Sequence, residues 1–257
     1  MNALALNMSP MHFLQLDALH FAYPDRDEVV RDVCLQLAPG DIHCLIGRSG
    51  CGKTTVLKLA AGLLTPQHGQ VQLKGQALQE PTADMGFVFQ SPTLLNWLSV
   101  LDNVLLPISL HGTVTHEHRA YGEQLLAQMG LAALRDDKPH QLSGGQQSRV
   151  AIARALITHP SVLFMDEPFA ALDAITRDEL QRDFLALCQT HGTAVLFVTH
   201  DISEAVFLAD HVSLMHEGRM QAPLQIDLPR PRRSAMRYTP AFNALCEQLR
   251  HTMDATL

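Results

Sequence analysis

The sequence predicts an α/β fold: a mostly parallel sheet with helices packed on it, preceded by antiparallel strands and interrupted by a helical insertion. Three features point to it. Residues 12–46 alternate polar and apolar side chains in short pieces, the period of two that belongs to half-buried strands. Two compact apolar runs, VLFM before Asp166 and AVLFV before Thr199, are each followed by a helix-like segment, as expected of strands buried on both faces. A glycine-rich loop lies between a short strand and a helix at residues 47–52.

In chain order, FLQLDALHF, VCLQLAPGD and IHCLI read as antiparallel strands, with turn signals at 24–27 and at Pro39, Gly40 and Asp41. From Cys44 the strand CLI runs into the loop and then into a helix, TTVLKLAAGLL, which ends at Thr65 and Pro66. GFVFQ reads as a strand closing at Gln90. Residues 91–160 read as mostly helical; the tract GGQQSRVAIARALITH sets Val150, Ala153, Leu156 and Ile157 on one face and stops before Pro160. HVSLM is a last strand before the turn at Glu217 and Gly218. The tail from Pro223 holds several prolines, a basic patch at 230–233 and a short helix at 240–250. We expect one domain over 12–220, with the helical insertion at about 91–160, and a short tail over 221–257 without a separate regulatory domain.

Composition narrows the function. Of 257 residues, 47% are hydrophobic and 18% charged, which fits a packed globular chain rather than a disordered one. A formal charge of −7 argues against a nonspecific nucleic-acid binder, which needs surplus Lys and Arg against phosphates. The five cysteines have no CxxC pairing and read as reduced thiols. The opening MNALALNMSPMHF lacks a basic start, and its apolar stretch is too short for a signal peptide. No apolar run reaches about 18 residues; the best candidate, 94–110, is broken by Asn96, Asp102, Asn103 and Pro107. The expectation is a cytosolic chain unless something else holds it at a membrane.

The strongest chemical signal is Gly47, Arg48, Ser49, Gly50, Cys51, Gly52, Lys53 and Thr54, of the form GxxxxGK[ST] between strand and helix, followed by Thr55. Its glycines let backbone N–H groups turn inward around a phosphate, and the helix start adds partial positive charge. Lys53 brings a full charge to the β- and γ-phosphates, and Thr54 offers a hydroxyl to Mg²⁺. Downstream, VLFM ends in Asp166 and Glu167. Paired with such a loop, Asp166 is placed to hold the Mg²⁺ shell and Glu167 to polarise the attacking water, because phosphoryl transfer needs mainly positioning and charge neutralisation. A second helix start follows at Leu142, Ser143, Gly144, Gly145 and Gln146: Ser143 is a good N-cap, and the glycines leave backbone amides open to an anion. A second phosphate cradle on one domain makes sense if it serves a nucleotide bound by another copy.

With these residues in order, the chain resembles the nucleotide-binding subunits of ABC transporters across nearly all of 12–220. The resemblance implies a P-loop NTPase (RecA-like) core with an N-terminal antiparallel β-subdomain and an inserted helical subdomain. It implies ATP and Mg²⁺ as ligands. It sets Tyr23 as the aromatic contact to adenine, Gln90 as a sensor of Mg²⁺ and of the membrane partner, Asp173 as the acid of the dimer loop, and His200 against the γ-phosphate. A turn tyrosine also covers sheet edges, so Tyr23 has two readings. Two departures are small: Gln147, Ser148 and Arg149 follow the signature where a third Gln is common, and Ala171, Leu172 and Asp173 lack a preceding Ser.

A translation-type factor would carry two cassettes, and a chromosome or repair ATPase would place a coiled coil between Thr54 and Leu142, where no heptad pattern persists over about three repeats. A single cassette without membrane spans fits a transporter ATPase; an exporter or non-transport role is the alternative. The segment 91–104 and the tail motif Asp227, Leu228, Pro229, Arg230, Pro231, Arg232 are similar to the nitrate, sulfonate and taurine importer family. That resemblance implies a homodimer, transmembrane permease subunits, a periplasmic solute-binding protein as an indirect partner, no nucleic acid, and a peripheral place on the cytoplasmic face of the inner membrane. Trp97, the single tryptophan, has two readings: packing in the helical insertion, or contact with the membrane subunit.

Overall fold

The computed structural model describes residues 13–170 and 172–255. The opening residues 1–12, with the leader reading made of them, and Ala171 of the Asp173 loop lie outside these.

Two sheets organise the chain. In the first, β1 (Leu14–Ala22), β2 (Glu28–Leu37), β4 (His68–Leu73) and β5 (Gln76–Ala77) pair antiparallel in the order β2-β1-β4-β5. The second centres on β3 (Ile42–Ile46), β6 (Met85–Val88), β7 (Val162–Asp166), β8 (Ala194–Thr199) and β9 (His211–His216), in the order β9-β3-β8-β7-β6, all parallel. Two short strands, β10 (Arg219–Met220) and β11 (Leu224–Gln225), add antiparallel to β9.

The period of two decides which core each residue enters. Along β7, Leu163 and Met165 join one apolar cluster while Val162 and Phe164 join another. Along β8, Val195 and Phe197 face the first cluster, and Ala194, Leu196 and Val198 the second. The second cluster is closed by the antiparallel sheet and by α1 (Lys53–Ala60), through Val56, Leu57 and Leu59. The first is closed by α2 (Val100–His111), α3 (His116–Gln128), α4 (Gly144–Leu156), α5 (Ala174–His191) and α6 (Ile202–Leu208). Burial on both faces explains why these strands read as unbroken apolar runs.

The structure corrects three local readings. IHCLI is not antiparallel; it is the central parallel strand β3, buried at all five positions. The first helix stops at Ala60, before Thr65, because Gly62 takes φ +70°; Gly62 N–H bonds to Leu59 O at 3.0 Å and Leu63 N–H to Lys58 O at 2.9 Å, a helix-ending motif that glycine permits. GFVFQ is strand only to Val88, so Gln90 lies in the loop beyond it. The strand β4 was not anticipated: in HGQVQL only the last three positions alternate in burial, so the signal is short.

The tail folds back on its own chain. After β11 it reaches α7 (Pro240–Asp254), whose Phe242 and Leu249 are buried in the main core. Arg232, 7% exposed, donates to the carbonyls of Val206, Phe207 and Ala209 at 2.9 to 3.1 Å. These are the end carbonyls of α6 that have no partner within the helix, so a buried cation both satisfies them and meets the negative helix end. Tail and α6 are thereby one packed unit. Replacing Arg232 by Met should cost about 2–3 kcal/mol, since buried carbonyls lose their donors; urea unfolding of parent and variant measures it, and an unchanged midpoint contradicts the role.

Candidate nucleotide site

Parallel register is what gathers the candidate residues. Ile46 pairs with Thr199 across β3 and β8, and Asp166 pairs with Val198 across β7 and β8. The chain positions that follow each carboxyl end, Gly47, Glu167 and His200, are therefore neighbours along one sheet edge. In open α/β sheets this edge is where ligands bind.

The cleft there has a volume of about 600 Å³ and is lined by Tyr23, Ser49, Gly50, Gly52, Lys53, Thr54, Thr55, Gln90, Asp166, Glu167 and His200, together with Arg26 and Val29. Arg26 and Val29 were missed in the sequence; Arg26 lies in the turn that follows Tyr23 and Val29 at the start of β2. Gly47, Arg48 and Cys51 shape the loop without lining the cleft: a Cβ on Gly47 would come within 2.4 Å of Met215 O. Gly52 caps α1 at φ +105°, where a Cβ would also meet Val29 O at 2.7 Å. Both positions therefore require glycine.

Lys53 is 6% exposed and its Nζ donates to Gly47 O at 2.8 Å and Arg48 O at 2.9 Å. The ammonium is thus fixed over the loop whose amides would cradle phosphate. Thr54 Oγ1 donates to Asp166 Oδ1 at 2.9 Å. Burial raises the Asp166 carboxyl above its ordinary range, opposed by the Thr54 bond, raised further by Glu167 and lowered by Lys58 and Lys53. Among the described residues no cluster of three or more His, Cys, Asp or Glu could hold a metal. A hydroxyl and one carboxylate nonetheless fit Mg²⁺, which keeps several waters and takes phosphate oxygens.

Glu167 has φ +46°, the left-handed region that a non-glycine residue enters only under constraint. Its N–H is held by Val198 O at 3.0 Å, and its Oε2 lies 3.0 Å from His200 Nδ1. The backbone turn aims the carboxylate back over the cleft at the histidine. Tyr23 Oη is 3.4 Å from Thr55 Oγ1 and its ring stands edge-on to Phe21 at 5.0 Å, so it both lines the cleft and packs on the sheet.

The structure does not bring the second helix start into this cleft. Ser143 caps α4: its Oγ accepts from Gln146 N–H at 3.3 Å, and Gln146 Oε1 accepts from Ser143 N–H at 2.8 Å. Leu142 is buried, Ser143 and Gly144 are exposed, and none of 142–146 lines the cleft. Gly145 packs against α5, where a Cβ would meet Thr176 Cγ2 at 2.6 Å. Asp173 also lies apart, capping α5 by accepting from Ile175 and Thr176 N–H at 3.1 Å, and the Thr176 side chain together with these backbone donors holds its carboxyl below the usual range. Trp97 is 72% exposed, so it does not pack the helical region; only its carbonyl is tied, by Lys138 Nζ at 3.0 Å.

A phosphate loop on a buried parallel sheet, with an Asp and Glu at one strand end and a His at the next, defines a P-loop nucleotide-binding domain. The sequence profile described as ABC transporter matches residues 30–170. The chain belongs to the ABC transporter family, as an ATP-hydrolysing cassette. It is 47% identical over 208 residues to an aliphatic sulfonates import ATP-binding protein of Xanthomonas axonopodis, covering 80% of this chain and 82% of that protein. To the taurine import ATP-binding protein of Escherichia coli O157:H7 it is 44% identical, with 80% of each chain covered. To the nitrate import ATP-binding protein NrtC of Synechococcus elongatus it is 41% identical over 92% of this chain, but spans only 38% of that longer protein. Among solved structures, a dimeric ATP-binding cassette in a post-hydrolysis state with ADP and Pi superposes with TM-score 0.74 at 29% identity, covering 84% of this chain and 100% of the other. The protein cbiO1 of Clostridium perfringens, part of the ABC transporter complex cbiONQ, gives TM-score 0.78 at 25% identity over 95% and 99% of the two chains. No helix of the described residues is long and apolar enough to cross a membrane.

The geometry makes Gly52 a sensitive test. Gly52→Ala should leave the far-ultraviolet circular dichroism intact while weakening binding of a fluorescent ATP analogue more than about tenfold, because the loop must move to admit the Cβ. Affinity equal to the parent would contradict the assigned loop.

Proposed function

We propose that two copies of this chain bind and hydrolyse ATP to drive a bacterial importer for a small solute of the nitrate, sulfonate or taurine kind. The carrying observation is the split arrangement: Lys53, Thr54, Asp166, Glu167 and His200 converge in one cleft, while Ser143 and Gly144 open a capped helix elsewhere on the same chain. Each P-loop nucleotide is then covered by the 143–146 segment of the other copy. Residues 12–220 act as one ATPase domain, the stretch of about 91–160 as its helical insertion, and 221–257 as a tail that packs against it.

In this reading the loop amides and Lys53 hold the β- and γ-phosphates, and Tyr23 stacks on adenine. Thr54, Asp166 and Gln90 would hold Mg²⁺, which supplies charge neutralisation to the phosphates when bound. Glu167 orients the attacking water and His200 braces the γ-phosphate, two groups already 3.0 Å apart. Closure of the pair transmits to permease subunits fed by a periplasmic solute-binding protein, on the cytoplasmic face of the inner membrane. Exposed Trp97, in the segment just after Gln90, is the surface we assign to the permease.

Support comes from the relatives, which are named as ATP-binding proteins for the import of nitrate, aliphatic sulfonates and taurine. Glu167→Gln should retain ATP binding, lose hydrolysis by roughly a hundredfold or more, and run as a dimer with ATP in size-exclusion chromatography. Ser143→Arg should still bind ATP as a monomer but lose turnover. Full turnover in the first variant removes the role of Glu167, and in the second the shared site.

A further inference from the structure

Behind the cleft lies a carboxylate that the chemistry above does not use. Glu204 on α6 is 4% exposed, and each of its oxygens is engaged. Oε2 accepts the hydroxyl of Thr199, and Oε1 accepts Gln181 Nε2–H at 2.8 Å. Thr199 Oγ1 in turn accepts Asp201 N–H at 3.1 Å, so one hydroxyl spans His200. Asp201 closes the turn from the other side by accepting Glu204 N–H at 3.1 Å.

The tail completes this arrangement. Arg237 donates to Gln181 Oε1 and, at 2.7 Å, to Ser203 Oγ; its guanidinium lies 4.0 Å from the Phe207 ring centroid. Asp178 lies 3.4 Å from Arg237 Nε without hydrogen-bond geometry. An arginine has no acceptor, so Gln181 must turn its oxygen toward Arg237 and its amide N–H groups toward Glu204. That orientation demands an acceptor at Glu204 Oε1, which a carboxylate supplies. The hydroxyl of Thr199 makes the same demand at Oε2.

We propose that Arg237, Gln181 and Glu204 are positioning residues for ATP hydrolysis: they keep the turn at 199–201 in the form that sets His200 against Glu167. The inference rests on the reading of Glu167 and His200 given above. It assigns the C-terminal tail a part in catalysis carried wholly within one chain.

The charge state of Glu204 is finely held. Burial pushes its carboxyl up to about 7, against the hydrogen bonds from Thr199 and Gln181 that pull it down. The charged and titratable groups facing it are Asp201 at the N-cap of α6, which raises it, Arg177 on α5, which lowers it, Arg237 from the tail, and Cys44 on β3, whose thiol burial keeps neutral. As pH falls through that value, Glu204 takes a proton and Thr199 loses its acceptor. Loss of the Gln181 donor raises the carboxyl further, so the same event occurs at higher pH.

The test is ATP hydrolysis by the full chain from about pH 5.5 to about pH 9, where kcat reports groups in the nucleotide complex. Gln181→Met should move the acid limb of kcat upward by about one pH unit and lower kcat at pH 7 about fivefold, with KM within about twofold. Glu204→Gln, neutral at every pH, should give low kcat without that limb. Arg237→Met should behave as Gln181→Met, and Arg237→Lys, which keeps a donor for Gln181, should recover most of the difference. Hydrogen exchange over 197–205 should quicken in the impaired variants. Profiles and exchange that superpose on the parent overturn the inference. Glu167→Gln run beside them separates the two levels: if it turns over fully, the reading of the cleft fails; if it is inactive while Gln181→Met matches the parent, only the positioning role fails.

Discussion

The constraint on which everything else depends is the parallel register of β3, β8 and β7. Parallel strands end on the same side, and their hydrogen-bond ladder fixes how far each one reaches. With Ile46 opposite Thr199 and Asp166 opposite Val198, the residues just past each strand end are neighbours, although Gly47 and His200 lie 153 positions apart in the chain and Glu167 and His200 lie 33 apart. The strands hold that register because both faces are buried: a slip by one residue would exchange the two apolar clusters and drive Phe164 and Leu163 into each other's places. Site geometry is therefore specified by core packing rather than by the loops alone.

The fold and the cleft were legible in the sequence to different degrees. Long-period signals survived well: VLFM and AVLFV are β7 and β8, and Val150, Ala153 and Leu156 are buried on α4 with Ile157 buried at its C-cap. The direction of β3 was not legible, since alternation says which side chains are buried but not which strand lies alongside. The end of α1 was misplaced because LL after Gly62 continued the apolar pattern, whereas backbone conformation at the glycine ends the helix. In the cleft, the loop and its carboxylates announced themselves through spacing. Arg26 and Val29 did not, because their place depends on how the antiparallel sheet stacks over α1. The segment 142–146 lies outside the cleft, and its helix start is capped by Ser143.

The tail changes character between the two views. In sequence it is a proline-rich, basic extension; in the structure two of its arginines, Arg232 and Arg237, turn inward while Arg230 and Arg233 stay exposed. Arg232 serves the carbonyl end of α6, and Arg237 serves the amide of Gln181. Both guanidiniums have their acidity altered chiefly by burial, which makes each easier to deprotonate than in water while the surrounding acceptors oppose this. A run of basic residues outside a domain need not be a surface for acidic partners. Here Arg232 of that run is internal, tied to the end of the helix that follows the strand carrying His200.

One feature described for its geometry carries a different meaning for how this chain can change. Glu167 sits at φ +46°, a conformation that glycine adopts freely and glutamate does not. Removing the side chain would relax the backbone there while deleting the carboxylate. On the role proposed for Glu167, stability and chemistry favour different residues at the same position, so selecting for heat tolerance alone would drift toward an inert enzyme. The strained glutamate marks where the chain has accepted a less stable backbone in return for a working group.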